Sequence, residues 1–218
     1  VSASASSPAE SVPARRGRPG YDRERVREIA VSLFNEQGYD ATSVADVAAR
    51  LGLSKSALYH HFSSKEALLE VALEEALGGL EEAIDAAERL DGPASARLEH
   101  VVRGATDVLL SHLPAVTLLL RVRGNSAVEL AALERRRRFD QRVTAMVAEA
   151  QAGGALRADV DAPVVARLLF GMINSVVEWY RPGGPIDGAR LGHDVVAVAL
   201  NGLRLPADDE GARRGGTT

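Results

Sequence analysis

Leu51-Gly52-Leu53-Ser54-Lys55-Ser56-Ala57-Leu58-Tyr59-His60-His61-Phe62 carries more structural information than any other stretch of this chain. Gly52 closes one short helical pattern (Val44, Val47, Ala48, Leu51), and Ser54 opens the next, as serine does at an N-cap. Leu58 and Phe62 lie four apart and face inward with Leu51 and Leu53, which leaves Lys55, Ser56, Ala57, Tyr59 and His60 on the other side. Two short capped helices about a glycine turn predict a helix-turn-helix, the second helix running from Lys55 to about His61. Small residues at 56 and 57 let a backbone come close to base edges, while Lys55, Tyr59 and His60 offer donors to phosphates or bases. The bland alternative is a partly buried aromatic cluster of Tyr59, His60 and His61, and for His61 it is the stronger one. Adjacent histidines without a carboxylate partner do not suit a metal, so neither a metal nor a cofactor is expected.

The flanking sequence extends the same pattern. Upstream, Val26, Ile29, Ala30, Leu33 and Phe34 predict a first helix from Asp22, ended by Gly38; Ser43 with Asp46 caps the second. Downstream, Ser63 with Glu66 reads as a capping box for a long fourth helix. Its stripe of Leu69, Ala72, Ala76, Leu80, Ala83, Ile84 and Ala87 runs to about Leu90, where Asp91-Gly92-Pro93 stops it. A fifth helix ends near Pro114, and a short sixth covers Leu118 to Val122. A seventh spans Ser126 to Ala152, an eighth starts at Pro163, and a ninth covers Asp187 to Leu205. No strand-like alternation and no repeat occurs, so the expected fold is all-α with about nine helices. The implied organisation is a flexible basic arm (1–20), a helix-turn-helix domain (21–66), a ligand-binding and dimerisation domain (67–205) and a polar tail (206–218).

Net charge is −4, which by itself disfavours nucleic acid. The distribution reverses that: Arg15, Arg16, Arg18, Arg23, Arg25 and Arg27 face only Asp22 and Glu24 in the same stretch, and counterion release depends on local phosphate contacts. Arg16-Gly17-Arg18-Pro19 is similar to an AT-hook core, which lies in a narrow minor groove; a disordered spacer is the alternative. The chain has no cysteine, which removes disulfides and thiol chemistry and fits a cytoplasmic protein. The first twenty residues lack an apolar core, so no secretory leader is expected there, and no apolar run approaches the roughly 18 residues of a membrane span. No phosphate-binding glycine loop, G-x-S-x-G or H-E-x-x-H is present, so no enzyme is expected.

Residues 27 to 69 resemble the DNA-binding domain of TetR-family regulators. The matching elements are A-x-x-L-F-x-x-x-G-Y-x-A-T-S-V from Ala30, V-A-x-x-L-G-L-S-K-S-A-L-Y-H-H-F from Val47, and S-K-E-A-L-L from Ser64. The resemblance implies a homodimer on a palindromic DNA operator, released when a small molecule binds, with repression as the usual outcome. By position it implies phosphate contacts at Thr42, Ser43 and Lys65. Lys55, Ser56 and Ala57 take base-facing positions, and Tyr59 and His60 meet backbone and bases.

In the second half, apolar residues of the eighth helix spread over most of its circumference, more than the one stripe a monomer's surface helix needs. One face against the chain's own domain and one against a second copy would explain this, as would complete burial. Leu168, Val176 and Trp179, with Leu191, Val195 and Val198 of the ninth helix, are the expected dimer contacts. Val102, Leu109, Leu118, Leu119, Phe139, Met146, Phe170 and Ile173 are candidates for lining a cavity, although an ordinary core would use the same residue types. Arg135-Arg136-Arg137-Arg138 cannot all share one helix face, so either one turns inward or the run is a solvated surface. Gly78-Gly79 within the fourth helix is either a hinge or a close packing contact. The ending W-Y-R-P-G-G-P-I from Trp179 resembles regulators of sterol-ring, phenylacetate and fatty-acid catabolism, several of which answer to acyl-coenzyme A thioesters. That resemblance implies an acyl-CoA or other apolar effector. A helical adaptor without sequence-specific DNA binding is the competing reading.

Overall fold

The computed structural model describes residues 23–201, which form helices with no strand among them, as the all-α expectation requires. In chain order these are α1 (Arg23–Gln37), α2 (Val44–Leu51), α3 (Lys55–Tyr59), α4 (Lys65–Glu88) and α5 (Ala94–Ser111). They continue as α6 (Leu113–Arg121), α7 (Ala127–Ala152), α8 (Ala162–Trp179) and α9 (Gly188–Val196), which passes into a π-helical turn at Ala197–Asn201. The expected arginine contacts at 16 and 18 and the tail from 206 lie outside the described residues.

One apolar core runs the length of the molecule, from Val26 and Phe34 in α1 to Leu191 and Val195 in α9. α4 is its axis: it packs against α1, α5, α6 and α7, while α8 lies on α7 and α5, and α9 lies on α5. The periodic stripes explain this order, because α4 buries Leu69, Ala72, Leu73, Ala76, Leu77, Ile84 and Ala87 and so has neighbours on several sides.

Three boundaries differ from the sequence reading. The cap of α4 is Ser64 rather than Ser63: its backbone is extended (φ −157°, ψ 172°) and its Oγ accepts from the Ala67 N–H at 3.0 Å. Either serine satisfies the local rule, and the chosen register buries Leu68 together with Leu69. α6 begins at Leu113, because Pro114 occupies its first turn, where a missing N–H costs nothing, as well as closing α5. α9 stops as a regular α-helix at Val196 instead of continuing to Leu205, of which the residues after 201 are not described.

α8 has a mean hydropathy of 1.2 over 18 residues and is by length and composition a candidate membrane span. It is not an unbroken apolar run, since Arg167 and Glu178 interrupt it. Ala166, Leu169, Ile173 and Val176 of this helix are buried against the rest of the protein.

Candidate functional site

The turn before α3 is built by backbone geometry. Gly52 closes α2 in the left-handed region (φ 67°), with its N–H on the Ala48 and Ala49 carbonyls, a conformation that would strain any residue with a Cβ. Ser54 then caps α3, its Oγ accepting from the Ala57 N–H at 3.1 Å. Leu58 and Phe62 are buried beneath, with Leu51, and Leu53 is half-buried against the same core. The opposite side is open: Lys55, Ser56, Tyr59, His60 and His61 are exposed, Tyr59 by 43%, and Ala57 is half-exposed. A buried aromatic cluster is thereby excluded, and His61, which the sequence favoured as buried, is on the surface.

Around this helix the expected phosphate contacts fare unequally. Thr42 is 1% exposed; its hydroxyl donates to the Gly38 carbonyl at 2.8 Å and its N–H is bonded within the same turn. It holds the α1–α2 corner together and cannot reach DNA, which corrects the expectation from its place at a helix start. Ser43 is exposed, but its N–H and Oγ both donate to Asp46 Oδ2 at 2.7 Å in a reciprocal capping box, which also lowers the Asp46 carboxyl below its ordinary value. Lys65 lies half-buried with Nζ 4.2 Å from the Tyr39 ring centroid and 3.3 Å from the Asp40 carbonyl, so part of its donor capacity is spent on the α1–α2 turn.

This N-terminal unit is tied to the rest of the protein through α6. Asn35 Nδ2 donates to the Pro114 carbonyl at 2.8 Å, and Arg121 donates to the Asn35 carbonyl at 2.8 Å. Arg27 and His112 both meet the Glu75 carboxylate, linking α1, α4 and the end of α5. Beside them Tyr39 is partly buried with an unpartnered hydroxyl. Burial, with the nearby Glu66, Glu129 and Asp40 carboxylates, pushes that group up to about 12.

In the second half, Leu109, Leu119, Phe139, Phe170 and Ile173 surround one chamber of about 50 Å³. The other three expected lining residues are elsewhere: Val102 and Met146 are filled core, and Leu118 faces the gap beneath Tyr39. The chamber meets an outer cleft of about 570 Å³ between α7 and α8, which carries Arg136, Arg137, Arg167 and Asn174. Arg136, Asp140, Phe170 and Asn174 border both spaces, so one i, i+4 pair from each helix frames the passage. Partial desolvation in this cleft raises the Asp140 carboxyl, against the pull of Arg136 and Arg167. Sequence reasoning missed this frame, although the spacings 136/140 and 170/174 were there to be read.

The arginine run divides. Arg135 spans Glu74 and Glu81 of α4 at 2.7 Å each, while Arg137 and Arg138 stay on the surface beside Glu134. Arg142 repeats the contact one heptad on, with Asp85 and Glu88 at 2.6 Å. These hydrogen bonds hold the Glu81 and Glu88 carboxyls below their ordinary values.

The expected dimer contacts also divide. Val176 is buried within the protomer where α8 lies on α7 and α5, and Leu191 and Val195 are buried where α9 lies on α5, which corrects their assignment. Leu168, Trp179 and Val198 are exposed; Leu168 and Trp179, with Val164 and Met172, leave an apolar seam along α8, Leu168 being 66% exposed.

Residues 20–72 match the family described as bacterial regulatory proteins, tetR family, and residues 91–203 match the tetracyclin repressor-like C-terminal domain. The HTH-type transcriptional repressor KstR2 of Mycolicibacterium smegmatis is 28% identical over 203 residues, covering 89% of this chain and 96% of its own. Among solved structures, SCO3833 from Streptomyces coelicolor A3, a member of the TetR transcriptional regulator family, is 47% identical. It superposes with a TM-score of 0.77 over 83% of this chain and 91% of its own. KstR2 of Mycobacterium tuberculosis, a ketosteroid transcriptional regulator, superposes with a TM-score of 0.75 at 25% identity, over 84% of this chain and 95% of its own.

Proposed function

The chain belongs to the TetR family of bacterial regulatory proteins, and from that premise we propose that it is a dimeric, ligand-responsive repressor that reads a palindromic operator with α3. The observation that carries this is the exposed polar side of α3, with Lys55, Ser56, Tyr59 and His60 standing on buried Leu58 and Phe62. A helix so presented can enter the major groove, where Lys55 and His60 are donors and Ser56 and Ala57 allow close approach. Ser43 and Lys65 flank it as phosphate contacts, the first through its position at the α2 N-terminus, the second through what remains of its ammonium. Arg16 and Arg18 extend the footprint into an adjacent minor groove.

Two copies joined along the α8 seam would present two such helices about 34–36 Å apart, so that weak half-sites add. In this reading the division of labour falls near residue 66, within the first turn of α4. The effector is an acyl-CoA thioester. Its acyl part enters the apolar chamber between α5, α6, α7 and α8, and its phosphates meet Arg137 and Arg167 in the outer cleft. The protein works as a regulator without an enzymatic step of its own.

The test is selection of duplexes by the purified chain, followed by anisotropy titrations at several salt concentrations. A palindrome should emerge, and Lys55→Ala should lower the salt slope by about 0.9 for each phosphate that the lysine neutralises. Removing residues 1–20 should lower it further. Selection of no palindrome, or unchanged binding by Lys55→Ala and Tyr59→Ala, would favour a helical adaptor instead.

A further inference from the structure

The geometry points to Phe170 as the residue that limits the size of the acyl group this protein admits, and to a short acyl group as the one it takes. The inference rests on the acyl-CoA reading above and adds the ligand's size and the side chain that sets it.

Three observations combine. The inner chamber holds about 50 Å³, whereas a cavity of about 150 Å³ is what accommodates a benzene ring in a protein core. The chamber as it stands has no room for a fused ring system of the ketosteroid kind, and on the roughly 30 Å³ share of one water it takes a tail of about two carbons. Next, the passage into the chamber is framed by Arg136, Asp140, Phe170 and Asn174, and Phe170 is the single apolar member. The other three suit the polar thioester and amide groups that follow an acyl tail: a guanidinium and an amide to donate, a carboxylate and an amide oxygen to accept. Finally, the Phe170 ring is braced. Its centroid lies 5.1 Å from that of Phe139 at an interplanar angle of 86°, an edge-to-face contact, and Phe139 is itself buried. A ring held this way is a wall between the 50 Å³ chamber and the 570 Å³ cleft.

Cutting Phe170 back would merge the two spaces. A longer tail could then bury methylenes that the wild-type wall keeps out, a gain of about tenfold in affinity for every two methylenes. Phe170 is half-buried and lies on the cleft side of α8, away from the exposed Leu168 and Trp179.

The experiment is a thermal-shift and calorimetric titration of the full chain with acetyl-, butyryl-, octanoyl- and palmitoyl-CoA, run beside benzene as an uncharged probe. Wild type should bind butyryl-CoA at least tenfold more tightly than palmitoyl-CoA and should ignore benzene. Phe170→Ala should invert the preference and bind benzene; Phe170→Leu should fall between, and it carries the test if the alanine variant does not fold. Identical chain-length profiles in wild type and variant would overturn the inference, as would wild type taking palmitoyl-CoA as tightly as butyryl-CoA. If no thioester binds either protein but benzene still separates them, the acyl-CoA reading fails while the wall stands. Benzene binding to both alike, or to neither, removes the wall.

Discussion

Gly78 and Gly79 are neighbours in the middle of α4, and replacing each by alanine in turn separates helix propensity from packing. Either substitution gains about 0.8–1.0 kcal/mol of propensity. At Gly78 the new Cβ meets only the carboxylate end of Glu74, at 3.1 Å, and that side chain is exposed enough to swing away. The worst cost is the Arg135–Glu74 pair, about 0–1 kcal/mol for a surface contact, and Arg135 keeps Glu81. At Gly79 the Cβ meets both methyls of Val108 on α5, at 3.0 and 3.1 Å. Overpacking of that kind costs about 1–3 kcal/mol. Gly78→Ala should therefore be neutral to stabilising, and Gly79→Ala neutral to destabilising by up to about 2 kcal/mol. At this chain length 1 kcal/mol moves Tm by about 2–4 °C, so the two variants should separate clearly in a thermal melt run at one fixed protein concentration. Adding Val108→Ala should relieve Gly79→Ala by more than the two single effects sum to. If Gly79→Ala stabilises as much as Gly78→Ala, the close α4–α5 contact is not what the second glycine is for, and the hinge reading regains its place.

Three further outcomes follow from the contacts. Arg121→Ala removes one of the two α6–α1 hydrogen bonds, outside both the cavity and α3, so effector affinity and operator affinity should each stay within about threefold while the effector's power to release DNA falls; undiminished release in anisotropy would show that coupling bypasses this bond. Tyr39 binds its proton more tightly folded than unfolded, since its hydroxyl is raised from 10.0 to about 12. Stability should then be intact below pH 10 and drain away as pH rises through that window; Tyr39→Phe should abolish this part of the alkaline melting curve and cost little at pH 7, where the hydroxyl has no partner to lose. Leu168→Arg places a charge in the centre of the α8 seam and should give a folded monomer by analytical ultracentrifugation with operator binding weakened at least tenfold; an unchanged sedimentation coefficient would move the dimer interface elsewhere.

What the sequence made legible was whatever depends on residues close together in the chain. Ser54, Gly52 and the Leu58/Phe62 spacing settle the start and the buried side of α3 locally, although the helix ends at Tyr59, short of the expected His61, which is exposed. Thr42 shows the limit: a threonine at a helix start looks like a phosphate contact, and only the folding back of α1 shows that the Gly38 carbonyl has claimed its hydroxyl. Val176, Leu191 and Val195 fail for a related reason. Periodicity reveals that α8 and α9 have apolar faces but not which neighbour covers them; α8 turns the Val176 side onto α7 and α5, and α9 turns its face onto α5, all of the same protomer. The arginine run held more than was read from it. Glu74, Glu81 and Glu88 recur every seven residues on α4, Arg135 and Arg142 recur at the same interval on α7, and matched intervals of opposite charge predict two helices side by side joined by ion pairs; only the pairs formed, Arg135 with Glu74 and Glu81 and Arg142 with Asp85 and Glu88, show that they run the same way.

The placement of α6 turns these parts into a device. It is short, Leu113–Arg121, and its two sides do different things. Val116, Leu119 and Leu120 line the inner chamber, while the Pro114 carbonyl and the Arg121 guanidinium hold Asn35 of α1. Leu118 and Arg121 also border the gap beneath Tyr39, next to the corner that Thr42 closes. A ligand that enlarges the chamber has to displace one of its walls. α7 is pinned to α4 by Arg135 and Arg142, and α5 lies close to it where Val108 faces Gly79, whereas α6 is the wall that also holds α1. Moving it strains bonds to α1, whose other side carries α2. α4 need not bend for this to reach the DNA: with α4 capped at Ser64 beside the end of α3, a small push at α1 would turn the whole helix-turn-helix. Of the two roles the sequence leaves open for the glycine pair, this route needs only the close packing, at Gly79.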